Sequence, residues 1–169
     1  ATTKPKEIIS FGGSQSNFLS ALSYLCLHYN IKLTYYLKPI SKYLKQNPIG
    51  NYKTALENNV YFIETNDFEN IRPKSKDVLF LRQGGKDISS SYGFKLLAKE
   101  LESDVVSYNI SNPLIYLPSG TGTSAFFIAK YTKIPVLTTP CVGNETYLKK
   151  QWDELQDINA KYQIGRAHV

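Results

Sequence analysis

The sequence predicts an α/β protein built on a doubly wound parallel sheet. Two observations predict it: short apolar, β-rich runs recur along the chain, and segments with helical spacing separate them. Strands that alternate with helices are typical of parallel sheets with right-handed crossovers and helices on both faces, which gives three layers. The 169 residues, 42% hydrophobic and 20% charged, have the composition of a folded globular domain.

The elements follow one another in a regular order. Strands are predicted over 8–11, 32–37, 60–63, 78–81, 114–117 and 135–138. Helices are predicted from 18 to about 28–30, over 51–58, 92–103, 125–131 and 142–162, with a short helical turn at 41–46. The 114–117 run is of the buried type. Residues 82–91, which contain a Gly-Gly pair, are predicted to form a flexible loop.

The stretch from Ile8 to Leu25 organises the chain. Its apolar run breaks at Gly12-Gly13, and the polar residues 14–17 then precede a helix with one apolar face. A strand, a glycine turn and a polar helix start expose N–H groups at the positive end of a helix dipole, which is an anion site. The alternative is an ordinary turn whose serine and asparagine only cap the helix.

A second glycine-rich turn, Ser119-Gly-Thr-Gly-Thr-Ser124, lies between a predicted strand and a predicted helix. Its glycines allow a phosphate to approach the backbone, and its hydroxyls add donors. It lacks the Lys-Ser/Thr of a P-loop and the spacing of a dinucleotide fingerprint. We therefore predict a phosphate site here, with a tight turn and a capped helix as the alternative.

Composition narrows the function classes. The net charge of +6 comes mostly from scattered lysines, with no dense basic stripe, so we expect no nucleic-acid partner. No apolar run approaches the length of a membrane span, and we expect no membrane partner. The two cysteines, Cys26 and Cys141, form no disulfide framework and no metal-ligand cluster, which favours the cytoplasm.

The two turns together carry a family resemblance. Gly12-Gly-Ser-Gln-Ser-Asn17 and Ser119-Gly-Thr-Gly-Thr123 resemble the pyridoxal-phosphate enzymes of the tryptophan-synthase-β fold (fold type II). Within that fold the sequence is most similar to the 1-aminocyclopropane-1-carboxylate deaminase / D-cysteine desulfhydrase family. The segments 83–85, 134–137 and 142–145 also match, so the resemblance extends to Gln163.

The resemblance implies a role for each matching residue. It implies pyridoxal 5'-phosphate as the cofactor, with Asn17 on its phenolic oxygen. It implies that Ser16 and the helix-start N–H groups hold the substrate carboxylate, that Ser16 assists proton transfer, and that Gln15 and Asn17 also contact the substrate. The phosphate would be bound by Gly120, Thr121, Gly122 and Thr123, with Ser124 as a further donor.

The resemblance also implies that the chain is a piece of a longer enzyme. Residues 1–163 would form partial enzyme domains: a small subdomain over roughly 10–85 and part of the large domain over 86–163. Residues 164–169 resemble a translated sequencing adapter and are expected to be non-native. The family's Schiff-base lysine lies in a Gly-Asn-Lys stretch that these residues lack, and Lys4 and Lys6 stand in the wrong context. We therefore expect the 169 residues alone to be inactive.

The expected parent is a cytoplasmic, homo-oligomeric deaminase or desulfhydrase, a lyase or hydrolase by reaction class. It would release ammonia and a 2-oxo acid from a small amino acid, and 1-aminocyclopropane-1-carboxylate and D-cysteine stay open as substrates. A β-replacement synthase of the same fold is a competing enzyme. The alternative from another class is a non-catalytic α/β module that binds a phosphorylated ligand through residues 120–124.

Overall fold

The computed structural model describes residues 4–73 and 75–157. The chain divides into two compact units, Ala1–Gly85 and Lys86–Val169, and each unit has its own parallel sheet. The predicted helix end at 162 and the expected tail 164–169 lie outside the described residues. The α/β fold class with parallel sheets flanked by helices is confirmed, with the strands distributed over two sheets.

Within its described residues, the first unit contains four strands and three α-helices. In chain order they are β1 (Glu7–Phe11), α1 (Asn17–His28), β2 (Lys32–Leu37), α2 (Lys42–Gln46), α3 (Gly50–Glu57), β3 (Tyr61–Glu64) and β4 (Val78–Phe80). The sheet is parallel with the order β3-β2-β1-β4. The strand order reverses between β1 and β4, so the carboxyl ends of these two strands form a topological switch point, where ligands of open α/β sheets bind.

The core of the first unit lies between α1 and the β1–β2 face. Alternation along the strands and helical spacing along α1 bring one apolar face of each element together. The buried cluster consists of Ile8, Leu19, Leu22, Cys26, Leu33, Tyr35, Leu37, Ala55 and Val60. α1 also contacts α3 through a polar bond, because Asn58 Nδ2 donates to the fully buried Ser23 Oγ at 2.9 Å.

Tyr35 is fully buried in this core, and its hydroxyl has no hydrogen-bond partner among the described residues. Ser10, its neighbour in register on β1, also has a buried hydroxyl without a partner there. Burial raises the pKa of Tyr35 to about 12. The nearby Ser16 side chain lowers that pKa in turn, but its position relative to Tyr35 Oη falls short of hydrogen-bond geometry.

The second unit contains two strands and three long helices within the described residues. They are α4 (Ser91–Ser107), β5 (Ile115–Ser119), α5 (Thr123–Tyr131), β6 (Val136–Pro140) and α6 (Glu145–Asp157), in chain order. Strands β5 and β6 pair in parallel. In both units each strand is followed by a turn and, for β1, β2, β5 and β6, by a helix.

The second unit departs from the sequence prediction in three places. α4 continues beyond 103 to Ser107, because the following residues are compatible with a helix until Asn109 adopts a positive φ. The helical spacing of Phe94, Leu97, Ala98 and Leu101 predicts that these four residues face inward, but only Ala98 is fully buried, and Leu97 is exposed. β5 is not of the buried type, since Tyr116 is 60% exposed. In the described part of the chain its sheet has one partner strand, so β5 keeps an open edge.

The segment 82–91 is more ordered than a flexible loop. It forms two short 3-10 turns, Gln83–Gly85 and Ile88–Ser90. Lys86, at the start of the second unit, is buried because its ammonium pairs with Glu154 and donates to Gln151 Oε1 at 3.0 Å on α6. A buried ammonium is tolerated where a carboxylate and further hydrogen bonds replace water. No helix over 4–73 and 75–157 is long and apolar enough to cross a membrane.

Two buried hydroxyls join β5 to β6. Ser119 Oγ lies 2.6 Å from Thr138 Oγ1, and Thr138 Oγ1 donates to Leu117 O at 2.8 Å. Because the single Thr138 hydrogen is used on that carbonyl, Ser119 is the donor between the two hydroxyls. Replacing Thr138 would therefore leave Ser119 with a buried hydroxyl and no acceptor.

We expect Thr138→Val to destabilise the second unit by about 1–3 kcal/mol, the cost of an unpaired buried hydroxyl. Thr139→Val is the matched control, because Thr139 is exposed on the same strand and its hydroxyl accepts from Tyr116 Oη at 3.0 Å. We expect the control to change stability by less than about 0.5 kcal/mol. Urea unfolding followed by the fluorescence of Trp152, the single tryptophan, measures both variants. Equal effects would contradict the assignment.

Tyr35→Phe is expected to leave the first unit as stable as before or more stable at pH 7, because it removes an unpartnered buried hydroxyl. The raised pKa adds a pH dependence: unfolded tyrosine ionises near pH 10, while folded Tyr35 ionises near 12. The stability that the raised pKa of Tyr35 contributes is fully present below pH 10 and is lost as the pH rises through 12. Tyr35→Phe should not show this part of the loss of stability at high pH. Urea unfolding by circular dichroism, with Tyr36→Phe as control, checks both statements. A large loss of stability at pH 7 would show that the hydroxyl has a partner.

Candidate functional site

The turn after β1 passes directly over the Tyr35 hydroxyl. Gly12 has a φ of 153°, and its N–H donates to Tyr36 O at 3.0 Å. A Cβ at Gly12 would lie 2.5 Å from Tyr35 Oη and 3.5 Å from Gln83 Cγ. Only glycine therefore fits where the turns after β1 and β4 meet at the switch point.

Ser16 is the N-cap of α1, and its Oγ accepts from Leu19 N–H at 3.3 Å. Ser16 thus caps the helix, as in the alternative given above for this turn. The hydroxyl hydrogen of Ser16 is not used in this bond, and the N–H groups of Asn17 and Phe18 in the first helical turn have no intrahelical acceptor. The helix start thus keeps three donors for an anionic group such as a carboxylate.

The side chain of Gln15 is bonded at both ends to the start of α3. Its Oε1 accepts from Asn51 N–H at 2.9 Å, and its Nε2 donates to Ile49 O at 3.1 Å. The N-cap residue of α3, Ile49, has no side chain that can cap, so Gln15 supplies the cap from a distant turn. Gly50 permits this approach, since a Cβ there would lie 2.4 Å from Gln15 Oε1.

The side chain of Asn51 joins the turn after β1 to α3. Its Nδ2 donates to Asn17 Oδ1 at 2.9 Å and to Gln15 O at 3.0 Å. The structure thus brings the predicted site residues Gln15, Ser16 and Asn17 together at one helix start, and adds Asn51. Sequence reasoning missed Asn51 because its partners lie 34 and 36 residues away and no local pattern links them.

In the second unit, the glycine-rich turn leads into α5 without a capping side chain. Gly122 is the N-cap in the left-handed conformation, with a φ of 73°, and the first bond of the helix runs from Phe126 N–H to Gly122 O at 2.9 Å. The N–H groups of Thr123, Ser124 and Ala125 precede that bond and have no intrahelical acceptor. These three donors converge at the positive end of the helix dipole.

The turn also carries hydroxyl groups and borders open space at Gly120. Thr121 Oγ1 lies 3.1 Å from Thr123 Oγ1, and Ser124 is exposed. Gly120 borders open space, because a Cβ there would meet no atom within 4 Å. Converging N–H and hydroxyl donors fit a phosphate group. The structure brings together the whole predicted set: Gly120, Thr121, Gly122, Thr123 and Ser124.

Helix α6 packs against the same turn. Trp152 Nε1 donates to Gly122 O at 3.1 Å. A Cβ at Gly122 would lie 2.3 Å from Trp152 Nε1 and 2.4 Å from Leu148 Cδ1. Gly122 is thus required both by its backbone conformation and by the indole packed against it, and sequence reasoning did not foresee this contact.

The described residues hold no group of three or more His, Cys, Asp and Glu side chains that could bind a metal ion. Cys26 is a buried free thiol, and Cys141 is an exposed one. The donors at the two glycine-containing turns are backbone N–H groups, hydroxyls and amides. Such donors suit anionic oxygen atoms.

No protein-family model matches the chain, and comparison with the curated proteins finds no match. Solved structures do match. An ACC deaminase homologue superposes with a TM-score of 0.61 at 10% identity, over 95% of this chain and 55% of that chain. The apo diaminopropionate ammonia lyase of Escherichia coli gives 0.60 at 10% identity, over 89% and 45%. A pyridoxal 5'-phosphate-dependent aspartate racemase gives 0.56 at 14% identity, over 80% and 40%.

At these identities the likeness concerns the fold. The chain spans about half the length of these three structures, from 40% to 55%. It shares its α/β fold with enzymes whose descriptions name a deaminase, an ammonia lyase and a pyridoxal-phosphate-dependent racemase.

Proposed function

We propose that the chain is part of a pyridoxal-phosphate-dependent enzyme that deaminates a small amino acid and releases ammonia and a 2-oxo acid. One observation carries the proposal: in a fold shared with such enzymes, both resemblance motifs lie at carboxyl ends of parallel strands and at helix starts rich in unused donors. The solved structures support an enzyme of this general kind. The substrate is our proposal, as is the 1-aminocyclopropane-1-carboxylate deaminase / D-cysteine desulfhydrase family.

In the first unit, we assign the helix start of α1 to the substrate and to the cofactor ring. The N–H groups of Asn17 and Phe18 and the hydroxyl of Ser16 supply three donors for the substrate carboxylate. The side-chain amide of Asn17 is assigned to the phenolic oxygen. Gln15, whose amide is bonded to α3, shapes the turn and leaves its exposed edge for substrate contact.

In the second unit, we assign the phosphate to the turn before α5. The N–H groups of Thr123, Ser124 and Ala125, with the hydroxyls of Thr121 and Ser124, supply donors for its oxygens. When bound, pyridoxal phosphate supplies an electron sink for negative charge at the substrate α-carbon, while the protein orients the substrate. The resemblance assigns the Schiff-base lysine to a Gly-Asn-Lys segment absent from the 169 residues. We therefore propose that catalysis requires that segment.

A second candidate function is a non-catalytic module that binds a phosphorylated ligand. The uncapped start of α5 favours it, because these donors would bind a phosphate monoester whether or not chemistry follows. We propose a small amino-acid substrate for the enzyme and a phosphorylated compound for the module. For both we propose a cytoplasmic, homo-oligomeric parent that binds neither nucleic acid nor membranes.

Ser124→Asp should weaken binding of pyridoxine 5′-phosphate at least about tenfold, because the new carboxylate repels the phosphate at close range. The same change should not destabilise α5, since a negative charge in a first helical turn is favourable. Titration followed by the absorbance and fluorescence of the ligand ring measures this. Ser91→Asp, at the first residue of α4, is the matched control and should leave affinity unchanged.

Product analysis separates the two functions. The parent protein that contains this chain should release ammonia with 2-oxobutyrate or pyruvate when supplied with 1-aminocyclopropane-1-carboxylate or D-cysteine. Ligand binding without either product in a panel of small amino acids would favour the binding module. Equal affinity of the wild-type chain and Ser124→Asp would contradict the phosphate assignment in both functions.

A further inference from the structure

We propose that Asn51 is a positioning residue that turns the amide nitrogen of Asn17 toward the ligand. This inference rests on the proposed function, because it concerns the group that Asn17 offers to the phenolic oxygen of the cofactor. Asn51 lies in the first turn of α3 and Asn17 in the first turn of α1, and their side chains meet at 2.9 Å.

The backbone fixes the orientation of the Asn51 amide. One end of this amide lies 3.0 Å from Gln15 O, and a carbonyl oxygen can only accept. That end must therefore be Nδ2. The same Nδ2 faces Asn17, so the Asn17 atom at 2.9 Å must be its acceptor, Oδ1. A side-chain amide can be placed with its oxygen and nitrogen either way round. Here one main-chain oxygen, that of Gln15, sets the orientation of both the Asn51 and the Asn17 amide.

Gln15 holds Asn51 in place in the same manner. Its Oε1 faces the N–H of Asn51, which can only donate, and its Nε2 faces Ile49 O, which can only accept. Both ends of the Gln15 amide are therefore determined by backbone groups. The start of α3 and the turn after β1 form one network in which each polar group has a single compatible orientation.

The side-chain amide of Asn17 therefore has a defined orientation. With Oδ1 turned to Asn51, its Nδ2 carries two hydrogens that meet no acceptor among the described residues, and the side chain is exposed. Asn17 thus presents a donor to a ligand oxygen and favours the ionised phenolic form, which accepts, over the neutral hydroxyl. In the flipped orientation, Oδ1 would face that phenolate and repel it.

Asn51→Asp tests the inference, because it keeps the size of the side chain and a residue suited to a helix start but removes the donor. Asn51→Ala removes the same donor without adding a charge and guards against an effect of charge. Asn66→Asp, at an exposed position after β3, is the control. Urea unfolding confirms that each full-length variant is folded before it is compared.

The first readout is the side-chain amide NMR signal of Asn17 in the ligand-free chain. We expect its Hδ2 resonances to shift in both Asn51 variants and to stay in place in Asn66→Asp. The second readout is the absorbance of bound pyridoxine 5′-phosphate across pH. We expect the apparent pKa of its ring hydroxyl to rise in the Asn51 variants, and the affinity at neutral pH to fall about tenfold.

Unchanged Asn17 resonances, or an unchanged hydroxyl pKa in bound ligand, would overturn the inference. Failure of the proposed function looks different: wild-type protein would then not bind pyridoxine 5′-phosphate at all. In that case the NMR comparison alone decides whether Asn51 orients Asn17, and a shift confined to the Asn51 variants supports the positioning role.

Discussion

The first N–H groups of a helix have no intrahelical acceptor, and three helices of this chain meet that constraint in three ways. α1 begins with its own cap, Ser16. α3 begins at Ile49, which cannot cap, and takes its acceptor from Gln15 in a distant turn. α5 begins at a left-handed glycine with no capping side chain. Of these three helices, α5 leaves the most first-turn N–H groups without an acceptor, and it follows the glycine-rich turn that we propose as the phosphate site.

The cap of α3 also explains why the turn after β1 has a fixed shape. Gln15 satisfies α3 and, in doing so, brings Asn51 against Asn17. Stability and the proposed ligand recognition therefore involve the same few bonds: Gln15, which completes the start of α3, also bonds the residue that contacts the Asn17 amide. Gly12 and Gly50 are the two positions that permit these close approaches, since a side chain at either would meet Tyr35 Oη or Gln15 Oε1.

The two units differ in whether their buried hydroxyls have hydrogen-bond partners. In the second unit Ser119 and Thr138 pair with each other and with Leu117 O, so they stabilise the pairing of β5 with β6. In the first unit the hydroxyls of Tyr35 and Ser10 lack partners among the described residues, directly beneath the turn of the candidate site. An unpartnered buried hydroxyl reduces stability. The Tyr35 hydroxyl lies under the turn that we propose binds a ligand. A buried polar group without a partner is expected where it serves function rather than folding.

The sequence by itself determined the α/β class, the order of elements and the two turns, because hydrophobic period, glycine pairs and capping residues are local signals. The strand 32–37 was predicted with the bounds that the structure shows, and capping of α1 was one of the two alternatives for the turn after β1. Only the tertiary structure decided that the strands form two sheets, that Leu97 is exposed, that Asn51 meets Asn17 and that Trp152 donates to Gly122 O. These contacts join residues about thirty or more positions apart, and their partners are chosen by how whole elements pack, which no local pattern encodes.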